Sequence, residues 1–214
     1  MLKQWTFGIF CLMFMTQVFA FTEGKEYLKL PLAVKQQPVV QTFLDQDKGK
    51  VQVTQFFSYK CPGCYNLDAA FSSWAAKQPT DVAVRHVPVA FNPAWEPLAK
   101  TYYVLEELNV TERISPIIFN AIHKEGKRLE SQQEIANYLS THGISANDFN
   151  AAYEGFNVNR RWAQAQTLRS AEQVNSIPAV VINGEYLTTL SMVPDSATLM
   201  KVMDHLIVES KKSP

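Results

Sequence analysis

Cys61-Pro62-Gly63-Cys64 stands between an apolar, aromatic run, Val51 to Phe57, and a segment, Tyr65 to Lys77, whose apolar residues recur at helical spacing. The first pattern predicts a strand and the second a helix, which places the two cysteines at a strand-to-helix junction. Two thiols separated by two residues at a helix start can close a small disulfide. The helix's unpaired N–H groups favour a thiolate on the first sulfur. Cys61 is therefore the candidate nucleophile and Cys64 its partner.

Three other uses of such a pair compete with redox chemistry. As a structural staple it would close a loop of only two residues, which constrains an unfolded chain little. A zinc site usually needs four Cys or His ligands, and His86, His123, His142 and His205 show no ligand spacing around the pair, so no metal is expected. A soft metal such as Cu(I) held by the two thiols is a third reading. Met192, Met200 and Met203 are spaced for packing rather than clustered near the pair, so they add little to it.

The first twenty residues bear on compartment. Lys3 precedes an apolar stretch, Trp5 to Phe14, and Ala20 closes the segment with Val18 two positions before it. This is the pattern of a secretory signal peptide over residues 1–20, removed after about Ala20. The stretch is short for a membrane span and is interrupted by Thr16 and Gln17. The third cysteine, Cys11, lies inside it, so the exported chain keeps only Cys61 and Cys64. A formal net charge of zero leaves no electrostatic footprint for nucleic acid.

Elsewhere the chain alternates strand and helix signals, an α/β pattern. Val82 to Val89 and Ala179 to Ile182, the latter ended by Asn183-Gly184, predict two further strands. Between them lie helix signals over Leu98 to Leu108, Glu112 to Lys124 and Ser131 to His142. Ser131 and Glu134 have capping-box spacing, and Gly143 is the stop. A further helix is expected from Ser145, with Phe149, Ala152, Tyr153 and Phe156 as its apolar stripe. Others are expected from Val158 towards Gln173 and over Ser196 to Glu209. Pro93, Trp95 and Pro97 predict a turn at the entry to the helical block. Phe71 and Trp74 read as core, Tyr65 as a flank of a substrate groove, and His86 as a structural histidine.

Phe56-Phe57-Ser58-Tyr59-Lys60 leading into Cys61-Pro62-Gly63-Cys64-Tyr65 resembles the active-site region of the DsbA family of thiol:disulfide oxidoreductases, and Ile177-Pro178-Ala179 with Asn183-Gly184 resembles its second signature. The resemblance implies a thioredoxin fold, residues 21–89 and 166–214, with an inserted helical domain, residues 90–165. It also implies that Pro178 is the cis-proline facing the pair and that Ile177 and Pro178 bind an extended substrate by strand addition.

The activity implied is dithiol–disulfide exchange in the periplasm. Disulfides would be introduced into unfolded or folding exported proteins with free thiols, with no cofactor beyond the Cys61–Cys64 disulfide, and a DsbB-like membrane partner would reoxidise the enzyme. An isomerase or reductase of the same superfamily is the alternative, and residues 21–50 could then be an oligomerisation element. The best-known members carry His where Gly63 stands, so Pro62 and Gly63 are expected to tune a weaker oxidant. Lys60 reads as a solvated lysine. Gln55 stands where the family often has a buried acid, which puts a proton-relay role at that position in doubt.

Overall fold

The computed structural model of the chain describes residues 21–212. The expected signal peptide and Cys11 lie outside the described residues. Chain order is β1 (Leu28–Lys29), α1 (Leu32–Lys35), α2 (Pro38–Leu44), β2 (Val51–Phe57), α3 (Pro62–Ala75), β3 (Val82–Pro88), α4 (Glu96–Glu107), α5 (Thr111–His123), α6 (Gln132–Ser140), α7 (Ala146–Glu154), α8 (Phe156–Ala171), β4 (Ala179–Ile182), β5 (Tyr186–Thr189) and α9 (Ser196–Ser210).

The five strands form one sheet in the order β1-β5-β4-β2-β3. β2 is central, parallel to β3 and antiparallel to β4, and all seven of its residues are buried. A strand covered on both faces is rich in apolar residues; Val51, Val53, Phe56 and Phe57 supply them here, with the buried Gln52, Thr54 and Gln55 between them. One face packs under α3 and α9, where Leu67, Phe71, Leu199, Val202, Met203 and Leu206 meet Val53, Val180 and Ile182. A second core runs from Phe56, Phe57 and Val87 into the helical block through Leu98, Leu105, Ile114, Ile118 and Leu139.

Local chemistry starts the helices where the sequence predicts. Ser131 Oγ accepts from Glu134 N–H, and Ser145 Oγ accepts from Asp148 N–H, each satisfying a first-turn donor. Glu134 does not complete the box on Ser131; its carboxylate instead accepts from Glu130 N–H at 2.7 Å. Pro93 to Trp95 form a short 3₁₀ turn that leads into α4, as expected of a turn at that point.

One expectation about the helices is corrected. Phe156 is not part of the stripe formed by Phe149, Ala152 and Tyr153; it is 79% exposed. Gly155, extended at φ −63° and ψ 151°, ends α7 and starts α8, and this break resets the helical phase so that Phe156 faces solvent. β1 and β5 carried no signal strong enough to be expected. Residues 21–50 are built into the chain's own packing: Leu28 and Lys29 pair with Leu187 and Tyr186, Val34 and Val40 are buried, and Leu30 N–H donates to Glu185 O at 2.7 Å.

Candidate active site

β2 delivers the chain to a buried turn, Ser58 and Tyr59, and then to Cys61, which is the N-cap of α3. Cys61 is extended at φ −88° and ψ 117°, and Pro62 occupies the first helical position, where its missing N–H has no partner to lose. The N–H of Cys64 donates to Cys61 Sγ at 3.3 Å, so the sulfur does the work that a Ser or Asp oxygen does at most helix starts. Both cysteines are free thiols, with Cys61 8% and Cys64 1% exposed.

This arrangement separates the two acidities. The S–H of Cys64, and then the N–H groups of Cys64 and Gly63, stabilise a Cys61 thiolate against the cost of burial and lower its pKa to about 7. Burial, the bond it gives to Cys61 and the nearby Asp68 carboxyl push the Cys64 thiol far up. Around neutral pH Cys61 is thus the thiol that ionises, and Cys64 stays protonated.

Sheet register brings the second signature to the first. Phe56 pairs with Ala179 across β2 and β4, which sets Ile177 and Pro178 beside the end of β2. The Ile177–Pro178 bond is cis, as the resemblance implies. The Cys61 thiol lies 3.7 Å from the Ile177 carbonyl oxygen, although the two residues are 116 positions apart. Gly63 completes the contact: a Cβ there would sit 3.1 Å from Pro178 Cδ and 3.8 Å from Cys61 Sγ. Absence of a side chain at Gly63 thus lets the proline ring close on the dithiol.

The helical block holds this corner through residues the sequence did not single out. His123 Nε2 lies 2.8 Å from the Tyr59 carbonyl, and the Tyr59 hydroxyl lies 2.6 Å from Ser115 Oγ. Tyr65 stacks on His123 with centroids 4.8 Å apart and donates to Asn120 Oδ1 at 3.2 Å. Ser115, Asn120 and His123 all lie on α5, and of the three only Asn120 and His123 have the i,i+3 spacing that could have grouped them in sequence.

The structure corrects the reading of Lys60. Its side chain is 14% exposed, its Nζ donates to the Arg128 carbonyl and lies 3.9 Å from Glu130, and burial lowers its pKa. It is tied to the helical block, and the groups that set the Cys61 acidity are Cys64 and Gly63. Phe71 and Trp74 are core, the indole N–H of Trp74 donating to Asp204 at 2.8 Å. His86 lies edge-on to Phe57 and Phe71, and burial lowers its pKa to about 4, so it is neutral at pH 7. Among the described residues no group of three or more His, Cys, Asp or Glu could hold a metal ion, and no helix is long and apolar enough to cross a membrane.

A mixed sheet whose central strand feeds a helix capped by the first cysteine of a CxxC pair, with a cis-proline set against that pair, defines a protein of the thioredoxin fold; the helices between β3 and β4 are an insertion into it. A family profile described as a DSBA-like thioredoxin domain matches residues 95–206. The thiol:disulfide interchange protein DsbA of Azotobacter vinelandii is 35% identical over 190 residues, covering 89% of this chain and 85% of that protein. The DsbA of Pseudomonas aeruginosa is 31% identical over 191 residues, covering 89% and 86%.

Solved structures agree. The crystal structure of Pseudomonas aeruginosa DsbA aligns with a TM-score of 0.79 at 29% identity over 90% of this chain and 96% of that one. The Xylella fastidiosa oxidoreductase DsbA aligns at 0.78 with 26% identity over 90% and 98%. The chain belongs to the DsbA family and is a thiol:disulfide oxidoreductase.

Proposed function

We propose that the chain works in the periplasm as a dithiol oxidase that introduces disulfides into exported proteins, with Cys61 as the attacked and attacking sulfur and Cys64 as the resolving one. The observation that carries the proposal is the Cys61 sulfur in the N-cap position, accepting from Cys64 N–H, with its acidity raised to a pKa of about 7 while Cys64 stays buried and protonated. A stabilised thiolate favours the reduced enzyme, and so makes the Cys61–Cys64 disulfide an electron acceptor.

In the forward reaction a substrate thiolate attacks Cys61 Sγ. A substrate–Cys61 disulfide forms, the Cys61–Cys64 bond breaks, and Cys64 leaves as a thiolate that takes up a proton. A second substrate thiolate then attacks the substrate sulfur of the mixed disulfide; the substrate gains a disulfide, and Cys61 leaves as a stabilised thiolate. The two electrons lost by the substrate reside in the enzyme dithiol until a membrane partner of the DsbB type removes them.

Cys61 is the sulfur that substrate would meet, because Cys64 is 1% exposed and Pro62 is exposed beside it. The partly buried Ile177 and the buried Pro178 form the other wall. An extended substrate lying against Ile177 would be held by main-chain hydrogen bonds, which suits clients of unrelated sequence. The domain division proposed is residues 21–89 and 166–214 for the sheet domain and 90–165 for the insertion, with residues 1–20 removed on export. Integration of residues 21–50 into the sheet domain favours the oxidase over an isomerase that would use them for oligomerisation.

The test is trapping in periplasmic extract. Cys64→Ser should accumulate mixed disulfides between Cys61 and exported proteins, and Cys61→Ser should accumulate none. A Cys64→Ser protein that captures no exported client would overturn the proposal. N-terminal sequencing of the exported protein checks removal of residues 1–20.

A further inference from the structure

β3 is the last strand of the sheet, so one side of it pairs with β2 and the other has no strand beside it. Val51 N–H donates to Asp81 O and Val89 N–H donates to Phe57 O, so in this parallel register the odd-numbered residues of β3 direct their N–H and C=O groups to β2. Val84 and His86 direct theirs the other way. Both are partly exposed, and among the described residues no acceptor takes up either N–H. Pro88 has no N–H to offer, which ends the run of donors.

The space beside this edge is open. A cavity of about 680 Å³ is lined by Ala83, Val84, Arg85, His86 and Val87 in succession. Side chains of a strand alternate between its two faces, so a cavity bordered by consecutive residues lies along the edge itself. A second hollow of about 780 Å³, on the α3 side, is also bordered by Val84 and His86. The edge therefore has room on both faces for the alternating side chains of an added strand.

Val39 and Phe43 of α2 and Leu168 of α8 give the 680 Å³ cavity apolar walls. Its charges are Arg85, held by Asp47; Arg161, held by Glu106; and Arg160, which is exposed and bonded to the neutral Gln164. One guanidinium is left over, so the cavity favours an acidic side chain. Glu106 does not occupy the edge N–H groups, because its carboxylate binds Arg161 and accepts from the Tyr102 hydroxyl at 3.4 Å.

We propose that the free edge of β3 is a second binding surface for client polypeptide, joined by strand addition by an extended segment that bears an acidic residue. The inference rests on the role proposed above in exchange with unfolded exported proteins, and deepens it: a client attached to Cys61 through its cysteine is also held at β3 through its main chain. The two surfaces share one strand pair, since β2 runs into the Cys61 turn and Phe57, at its end, is bonded to Val89 just beyond β3. Main-chain pairing accepts clients of unrelated sequence. A second copy of the chain is a poorer occupant. The antiparallel pairing that uses both free N–H groups sets Arg85 directly opposite Arg85 of the other copy, and like charges so placed repel.

The experiment is amide hydrogen exchange, followed residue by residue by NMR, on the full mature protein with reduced, carboxamidomethylated α-lactalbumin in excess. This probe is unfolded, acidic and free of thiols, so it binds without exchanging at Cys61. The Val84 and His86 amides should exchange at least about five-fold more slowly with the probe than without it. Unchanged exchange at both would overturn the inference, as would protection that appears without the probe and rises with protein concentration, the mark of a second copy on the edge. Val84→Pro removes one outward N–H at a position where β2 does not need it. It should abolish the protection at His86 and lower several-fold the ratio of the oxidation rate of a reduced, unfolded protein to that of glutathione; a wild-type ratio in the folded variant would also overturn the inference. The wild-type exchange pattern decides even where Val84→Pro does not fold. A wild-type protein that protects β3 yet oxidises no reduced chain would refute the exchange role and not this surface.

Discussion

Replacing Cys64 with alanine removes the S–H that donates to the Cys61 sulfur and leaves the main-chain N–H of residue 64 in place. In the native protein the Cys61 pKa falls from 9.0 to about 7, with the Cys64 thiol the largest cause, burial opposing it and the Cys64 and Gly63 N–H groups adding to it. Two pH units correspond to about 2.7 kcal/mol of preference for the thiolate, and to about 60 mV of oxidising potential for the two-electron couple. A hydrogen bond to a charged group contributes about 1.5–3 kcal/mol. Loss of the S–H should therefore return the Cys61 pKa about one unit or more toward 9.0.

The assay is thiolate absorbance, or the rate of alkylation by iodoacetamide, as a function of pH on reduced protein. A midpoint that stays near 7 in Cys64→Ala would refute the assigned cause, and a wild-type midpoint near 9 would refute the N-cap argument altogether. Stability follows with a definite sign. The folded Cys61 pKa is depressed, so its contribution to the reduced protein is fully present above 9 and is lost as pH falls through about 7. Thermal unfolding of the reduced form should gain on the oxidised form as pH rises between those limits.

Three further perturbations test other parts of the structure. Glu172 is 1% exposed, burial raises its pKa from 4.5 to about 8, and its Oε2 has no partner. Its ionisation therefore costs stability as pH rises from 4.5 to 8, by up to about 1.4 kcal/mol per pH unit, and Glu172→Gln should flatten that slope in chemical denaturation. Gly63→Ala puts a Cβ 3.1 Å from Pro178 Cδ, and should slow exchange with an unfolded protein more than exchange with glutathione, measured by stopped flow. His123→Ala removes the bond to the Tyr59 carbonyl and the stack on Tyr65, and should cost about 1–2 kcal/mol in urea unfolding of the reduced protein.

The sequence makes legible what is encoded locally. Val51–Phe57 and Ala179–Ile182 are dense in β-branched and apolar residues because both are covered strands, and Ser131 and Ser145 mark helix starts because a hydroxyl there satisfies a first-turn N–H. β5, Tyr-Leu-Thr-Thr, and the two-residue β1 are strands only by virtue of their pairing. α2 carries adjacent β-branched residues, Val39 and Val40, and owes its stability to packing rather than to propensity.

The site divides in the same way. Cys61, Gly63, Cys64 and Pro178 sit in short motifs whose spacing carries the chemistry. Asp68 and His123 became visible only when α3 was placed over the sheet and α5 beside it, since a single carboxylate or imidazole on a helix has no signature of its own. Lys60 reads as solvated because its sequence neighbours are the active-site residues, whereas its partner in space is the distant Arg128 carbonyl.

The central claim is that the Cys61 environment makes the disulfide an oxidant. Equilibrating the purified mature protein against glutathione buffers and quantifying the Cys61–Cys64 disulfide gives its reduction potential directly. The account predicts a value less negative than about −200 mV; a value near about −270 mV, that of thioredoxin, would contradict it.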